Sequence, residues 1–521
     1  MHPYTDFFPR RAPGDTLDCA PLLAHGLRSH PRHEVLRFGD QVITREESRR
    51  RVAQFQAWFD ELGLVRRDRV AVMLNNGPDH IHLIYALMLS GMVWIPVNTR
   101  QRGAGLEYLL QHSDPGLILC EPEFDDLIRE LDLADTPCLH LPGFRPDRAG
   151  PDLRQADVDP HDLLGIIYTS GTSGPPKGVL FTHRMMRIAS EAALLVADVR
   201  AGDRVFLWEP LCHIGGAQML LLPFLEQVSL GAVARFSASR FWEQVRAFGA
   251  TQLHYLGGVL DILLQMPGQA PPEPRTLRVA WGAGANRDIW EEAESRLGVK
   301  LRECYGMTEC ASFATVNLNG CPGSMGRALP WIELQLLDDK GREVACGEPG
   351  EIVLSSKVEG ALFGGYLNNP EATRGALRQG RLYTGDHARR DEQGNLYYLG
   401  RRTDSMRVRG ENVSAWEIER VFARHPQVRA CAAIGVAAEV GEQEVLLNVQ
   451  FEQAPVAWEE LHAWAAQRLA SFQLPRYYRA VDGFETTASE RIRKHLLSRD
   501  ASDAWDRLRA QARPRTTGHA A

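Results

Sequence analysis

The chain has 521 residues, more than one ordinary hydrophobic core organises and enough for two or three domains. It is 44% hydrophobic and 24% charged with a formal net charge of −7, which gives no electrostatic reason to expect nucleic acid or an anionic membrane as a partner. No apolar run is long enough to span a membrane, and the opening stretch "MHPYTDFFPRRAPGDT" lacks the apolar core of a secretory signal, so a cytoplasmic protein is expected.

In chain order, "RVAVML" (69–74) reads as a buried strand, "PDHIHLIYALMLSG" has helical spacing, and "VWIPVN" is a second strand. This β-α-β punctuation predicts an α/β fold with a parallel sheet and helices on its faces. Further short apolar strands are expected at 117–120, 163–170, 204–211, 251–258 and 277–284. After about residue 325 the rhythm changes to short strands joined by Gly-Asp and Gly-Asn turns, which predicts a small antiparallel or barrel-like part over about 325–400. A helix near 416–425, strands at 431–436 and 444–451, a helix at 458–471 and a strand near 477–484 form a separate small α+β unit. The expected division is therefore 1–402, 403–497, and a polar, poorly ordered tail over 498–521.

Nine cysteines are scattered without a CxxC pair, so spacing argues against a zinc site or a disulfide framework and fits a reducing compartment. Only five of the 59 basic residues are lysines, so a lysine set in a special loop is less easily a chance occurrence. One such loop is "YTSGTSGPPKGV" (168–179), following the apolar strand "LLGIIY" and preceding the helical segment that starts near His183. Glycines admit an anion close to the backbone, hydroxyls and amides donate to phosphate oxygens, and a lysine adds charge. It is not a Walker A loop, because Pro176 precedes Lys177 and Gly178 follows it. The plain alternative is a solvated turn.

The stretch resembles the phosphate-binding signature of adenylate-forming enzymes, loosely of the carnitine/crotonobetaine–CoA ligase type. Four further stretches match that family in order, over about residues 40–495. The resemblance implies that Thr169, Ser170, Gly171, Thr172, Ser173, Gly174 and Lys177 cradle phosphates. "YGMTE" implies Tyr305 on adenine, Gly306 and Met307 beside it, Thr308 on the α-phosphate and Glu309 as the carboxylate that holds Mg²⁺. "YTGD" implies that Asp386 accepts the ribose hydroxyls. "GRRTDSMRVRGENVSAWEIE" implies Arg401 on ribose, Asp404 as a hinge pivot and the loop at Gly410 for a second half-reaction. Ser414 with Glu417 also reads as a capping box, which explains part of that string by helix initiation alone. By position Gly282, Ala283 and Gly284 meet the nucleotide, and His213, Gly215, Gly216, Leu256, Gly257 and Trp281 line the acyl pocket. A Trp at 281 would shorten that pocket, which predicts a small or medium acid.

The family's last motif carries a lysine, and here "FETTASERIRKHLL" places Arg491 at that position. Arginine keeps the charge but is a planar fork and not a point charge. Three readings stay open: Arg491 does the work, Lys494 replaces it from the same face of a helix, or adenylation is impaired. The resemblance implies attack of a carboxylate on the α-phosphorus of Mg·ATP, release of pyrophosphate, and displacement of AMP by a thiol after the small domain rotates. Coenzyme A is the expected thiol, with a separate carrier protein as the alternative. Activation of another oxyanion such as nitrite, and nucleotide binding without chemistry, are the competing functions.

Overall fold

Apolar strands that alternate with helices must bury both faces of a parallel sheet, and the chain does this twice. The structure, a computed structural model, describes residues 7–8, 16–133, 136–144, 152–169, 176–266, 276–285, 287–401, 405–408, 411–438, 443–469, 473–486 and 492–512. The first sheet has six strands, ordered from edge to edge Cys138–Leu139, Leu117–Cys120, Arg69–Met73, Val93–Pro96, Leu163–Thr169 and Lys177–Thr182. All neighbours are parallel except the last two, which form an antiparallel hairpin. The second sheet has nine strands, with Lys300–Met307, Val279–Ala283, Gln252–Leu256 and Arg204–Leu207 at its centre.

The helix His183–Ala197 touches strands of both sheets, including Lys177–Thr182 and Val279–Ala283, and buries 14 of its 15 residues. A helix that meets apolar neighbours on every side needs no polar face, which is why "MMRIASEAALLV" reads as apolar almost all round. The main core includes the fully buried Trp94, Trp281 and Trp331. A five-stranded antiparallel sheet over 332–401 follows, built on the long strand Arg381–Arg390. The smaller C-terminal domain carries the hairpin Ser405–Val408/Glu411–Ser414, the helix Ala415–Phe422 and a four-stranded sheet over its own core.

One expectation is corrected and one element is added. The helix expected near His183 starts there, and Lys177–Thr182 before it is a strand, so the glycine-rich loop closes a hairpin. "GVLFT" is a short apolar run, and such runs are ambiguous until their partners are known. The chain past Ser498 is also ordered as far as Ala512: Trp505–Asp506 adds a strand to Tyr477–Ala480, and a helix covers Arg507–Ala512. Trp505 packs edge-on against Tyr478 at 5.4 Å, and Arg476 pairs with Asp506 at 3.2 Å. One aromatic and one ion pair anchor a segment whose composition is otherwise polar.

Candidate active site

The site is built from the C-terminal ends of strands and from the turns that leave them. Asp386 is its hub. The antiparallel register sets Asp386 opposite Arg401. Its carboxylate is 4% exposed and accepts from Tyr305 Oη at 2.8 Å, Tyr398 Oη at 3.0 Å and Arg401 Nε at 3.1 Å. A buried carboxylate needs such partners, because desolvating an unpaired charge costs several kcal/mol. Burial, then the Asp386 charge, pushes the Tyr305 phenol well above its usual range and keeps it a donor. Tyr305, Asp386 and Arg401 lie far apart in sequence and are brought together here; Tyr398 completes the set.

The lysine and carboxylate expected to meet phosphates and metal lie beside this hub. Thr169 and Lys177 face one another across the hairpin, and the intervening Ser170, Gly171, Thr172, Ser173 and Gly174 lie outside the described residues. Lys177 Nζ sits 5.2 Å from the centre of the Tyr366 ring. Tyr366 Oη donates to Glu309 Oε1 at 2.8 Å. Lys177, Tyr366 and Glu309 thus form one chain of contacts from the hairpin to the turn Thr308–Cys310. Burial raises the Glu309 carboxyl above the usual carboxylate range, opposed by the Tyr366 bond and by the charges of Arg401 and Lys177. Thr308 is buried in the same turn, and Met307 is partly buried against the core. A side chain at Gly306 would strike the Ser312 carbonyl and the Phe313 backbone, so glycine lets the two strands close at this turn.

Gly282, Ala283 and Gly284 end a central strand, with Gly284 at φ +99°. Glu303 on the next strand fixes this turn. It accepts from the Gly284 and Ala285 amides, the latter at 2.9 Å, and from Tyr255 Oη at 2.8 Å. Burial pushes the Glu303 carboxyl up to about 7. From the C-terminal domain, Arg420 Nη2 donates to the Gly284 carbonyl at 2.7 Å.

At the acyl end, His213 precedes the short helix Ile214–Ala217, and its Nε2 lies 3.4 Å from Asn98 Nδ2. Gly215 and Gly216 start that helix, and Gly257 starts the helix after Leu256, which is 44% exposed. Trp281 has no exposed surface. Its ring packs edge-on against His254 at 4.4 Å and Phe313 at 5.9 Å inside the core, so it offers no open wall and the argument for a short pocket from Trp281 is withdrawn. Behind Gly215 stands a close carboxylate–imidazole contact that sequence reasoning missed. Glu209 Oε2 and His254 Nδ1 approach to 3.2 Å, both side chains at least 96% buried, and a Cβ on Gly215 would strike that carboxylate.

Lys494 opens a single turn, Lys494–Leu496, and is not on a continuous helix with the residues before it: Ile492 bridges Thr486 in a strand-like pairing. Its Nζ pairs with Glu419 Oε1 at 2.9 Å, and the same oxygen accepts from the Ala433 amide at 2.6 Å. Arg491, Asp404 and Gly410 lie outside the described residues.

The sequence signature of the AMP-binding enzyme family matches residues 23–367, and that of the AMP-binding enzyme C-terminal domain matches 417–491. The chain belongs to the AMP-binding enzyme family. It is 27% identical over 467 residues to a crotonobetaine/carnitine–CoA ligase of Salmonella paratyphi C, covering 84% of this chain and 90% of that protein. It is 28% identical over 485 residues to the fatty acid–[acyl-carrier-protein] ligase ScoC of Streptomyces coeruleorubidus, covering 89% and 93%. Its fold matches that of o-succinylbenzoate–CoA synthetase from Bacillus subtilis, solved with ATP and magnesium, at a TM-score of 0.81 with 24% identity, over 91% and 98% of the two chains. These findings identify an AMP-forming acid–CoA ligase, and they favour it over oxyanion activation and over a catalytically silent nucleotide binder.

Within this AMP-binding enzyme, Glu309 suits a hard divalent cation: it is an oxygen donor, buried, and destabilised as a lone anion. No described helix is long and apolar enough to cross a membrane. The residues missed from sequence, Tyr366, Tyr398, Glu303, Glu209, His254 and Arg420, sit two to twenty residues from a motif residue or across a strand from one. The "YYLGR" run ending at Arg401 was the one readable hint, but strict alternation sets Tyr398 on the opposite face from Arg401, and only the register shift between His387 and Ala388 brings both to Asp386.

Proposed function

We propose that Asp386 and Arg401 hold the ribose of ATP, with the Tyr305 and Tyr398 phenols occupying in the free protein the acceptor positions that two ribose hydroxyls take. An ionised carboxylate offers about four lone-pair positions, and three donors already converge on it. Tyr305 then frees its ring for the base beside Gly282–Gly284. Lys177 and the glycine-rich hairpin meet the β- and γ-phosphates, and Thr308 meets the α-phosphate. Glu309 would hold the magnesium that accompanies ATP, which supplies charge neutralisation on the phosphates. The acid carboxylate enters past His213, and Arg491 neutralises charge on the α-phosphate as pyrophosphate leaves. Lys494 is the weaker candidate for that task, because Glu419 engages it.

The observation that carries this reading is the convergence of Tyr305, Tyr398 and Arg401 on buried Asp386, next to the Lys177–Tyr366–Glu309 chain. The acid is read as one whose tail bears a positive charge or a hydrogen-bond donor. Carnitine, named for one relative, has such a tail, and a fatty acid, named for another, does not. Coenzyme A is the acceptor, and a carrier protein is the alternative outcome. The test is pyrophosphate release from Mg·ATP with matched acids, trimethylammonium-tailed against tert-butyl-tailed, with coenzyme A, with a carrier protein, and without either. Acid-dependent release accelerated by coenzyme A is expected, with the cationic acid preferred. Release without any acid requirement would overturn the reading.

A further inference from the structure

Far from the nucleotide site, at the opposite edge of the six-stranded sheet, two thiols, a carboxylate and an imidazole converge. Cys120 ends the strand Leu117–Cys120, and Asp125 opens the helix Asp125–Arg129 one turn later. The edge strand Cys138–Leu139 returns in parallel, pairing Ile118 with Cys138 and Leu119 with Leu139. Cys138 and His140 are two residues apart along an extended segment, so both point toward Cys120 and Asp125. Cys120 Sγ lies 3.3 Å from Cys138 Sγ and 3.5 Å from Asp125 Oδ1, and His140 Nε2 lies 2.7 Å from the same Oδ1. The donor atoms of Cys120, Asp125 and His140 all fall within 4.8 Å of one another. Among the described residues no other three metal-ligating side chains meet this closely.

We infer that Cys120, Cys138, Asp125 and His140 form a binding site for a divalent cation of the zinc class. The donor set is two sulfurs, one nitrogen and one oxygen, which is the mix that tetrahedral zinc accepts. Bond lengths of roughly 2.3 Å to sulfur and 2.0 Å to nitrogen or oxygen put tetrahedral donors roughly 3.3–3.8 Å apart. The Cys120–Cys138 and Cys120–Asp125 spacings already fall in that range and the Asp125–His140 contact would open by about half an ångström, whereas Cys138, which stands outside the tight cluster of the other three, would turn in to complete the set.

The surroundings fit as well. Arg129 pairs with Asp125 through the other oxygen, Oδ2, at 3.3 Å, leaving Oδ1 turned toward the sulfurs. Two thiolates and one carboxylate around a dication carry one net negative charge, which Arg129 offsets. A two-residue edge strand gains little from its own ladder, and a cation joining it to the helix Asp125–Arg129 would hold the sheet edge. Five strand spacings of about 4.8 Å separate this edge from Lys177, roughly 24 Å, so the cation serves structure and not the ligase chemistry. Spacing in sequence hid the site: no CxxC exists, and parallel pairing across 18 residues makes the pair.

The test uses the full chain, reduced and stripped with chelator, then titrated with zinc against a chromophoric competitor. One tightly held zinc per chain is expected, with release of up to two thiol protons per zinc bound. Cys138→Ser and His140→Ala should each weaken zinc by roughly 100-fold or more. His140 is 43% exposed and away from the nucleotide site, so His140→Ala should keep native acid-dependent pyrophosphate release, which verifies its fold. No tight zinc on the reduced chain would overturn the inference. So would zinc binding unchanged in both variants, or a Cys120–Cys138 disulfide whose reduction restores no zinc uptake.

Discussion

The ribose end and the catalytic-cation end of this enzyme are built on opposite plans. At the proposed ribose end, Asp386 is already surrounded by three donors carried on two strands, so a ligand would replace contacts that exist. At the other end, the described cation Lys494 is engaged by Glu419 inside the C-terminal domain, and the one bond reported above from that domain to the nucleotide-binding turn is Arg420 to Gly284. Preorganised groups bind without reorganisation, whereas a group on a separate domain acts only after that domain is placed. On the proposed reading, binding falls to the large domain and timing to the small one.

The sharpest way to break this comparison is at the hub. Asp386→Ala leaves Arg401 and two phenols without their acceptor and should raise KM for ATP on the order of 100-fold, because truncating one partner of a buried charged network costs about 3–5 kcal/mol, not all of it expressed in binding. Steady-state kinetics against ATP measures this; an unchanged KM would remove Asp386 from the ribose site. Next in size, Glu309→Gln should lower pyrophosphate release by about 100-fold with little change in nucleotide affinity, as expected for charge stabilisation expressed in the transition state. Equal losses in kcat and affinity would instead make Glu309 a ground-state contact.

Glu303 sharpens the comparison through pH. Its carboxyl is raised to about 7 from an ordinary 4.5, so the folded protein holds a proton that the unfolded chain releases between those values. The stability contributed by that proton is full below about pH 4.5 and is lost as pH rises through about 7, on the order of 3 kcal/mol in all. Urea unfolding from pH 5 to 8 should show this decline in the native protein and a flatter profile in Glu303→Gln; parallel profiles would contradict it. The smallest effect is expected at Lys494. Lys494→Ala should change pyrophosphate release less than about threefold and cost about 1 kcal/mol of stability, since the pair it breaks is mostly but not fully buried.

Much of this was legible in the sequence because phosphate and ribose chemistry demand particular residues in short runs: "TSGTSGPPKG", "YGMTE" and "YTGD" each announce a role. Tyr366 was not, because its role depends on a loop that crosses over to the Glu309 turn. Trp281 was misjudged since a strand residue faces either the site or the core according to register, and His254 opposite it faces the core. The strand at Lys177 was hidden because three apolar residues, Val179 to Phe181, do not distinguish a strand from the start of a helix. The ordered segment to Ala512 escaped because Trp505 and Asp506 act through tertiary partners.

The most direct test is acid-dependent exchange of labelled pyrophosphate into ATP, run on the native enzyme, Arg491→Ala and Lys494→Ala. Exchange reports adenylation alone, before any thiol enters. The account predicts exchange that is strong in the native enzyme, lost in Arg491→Ala and nearly intact in Lys494→Ala. Exchange lost in Lys494→Ala and kept in Arg491→Ala would contradict it and make the Glu419 pair a latch that must open for catalysis.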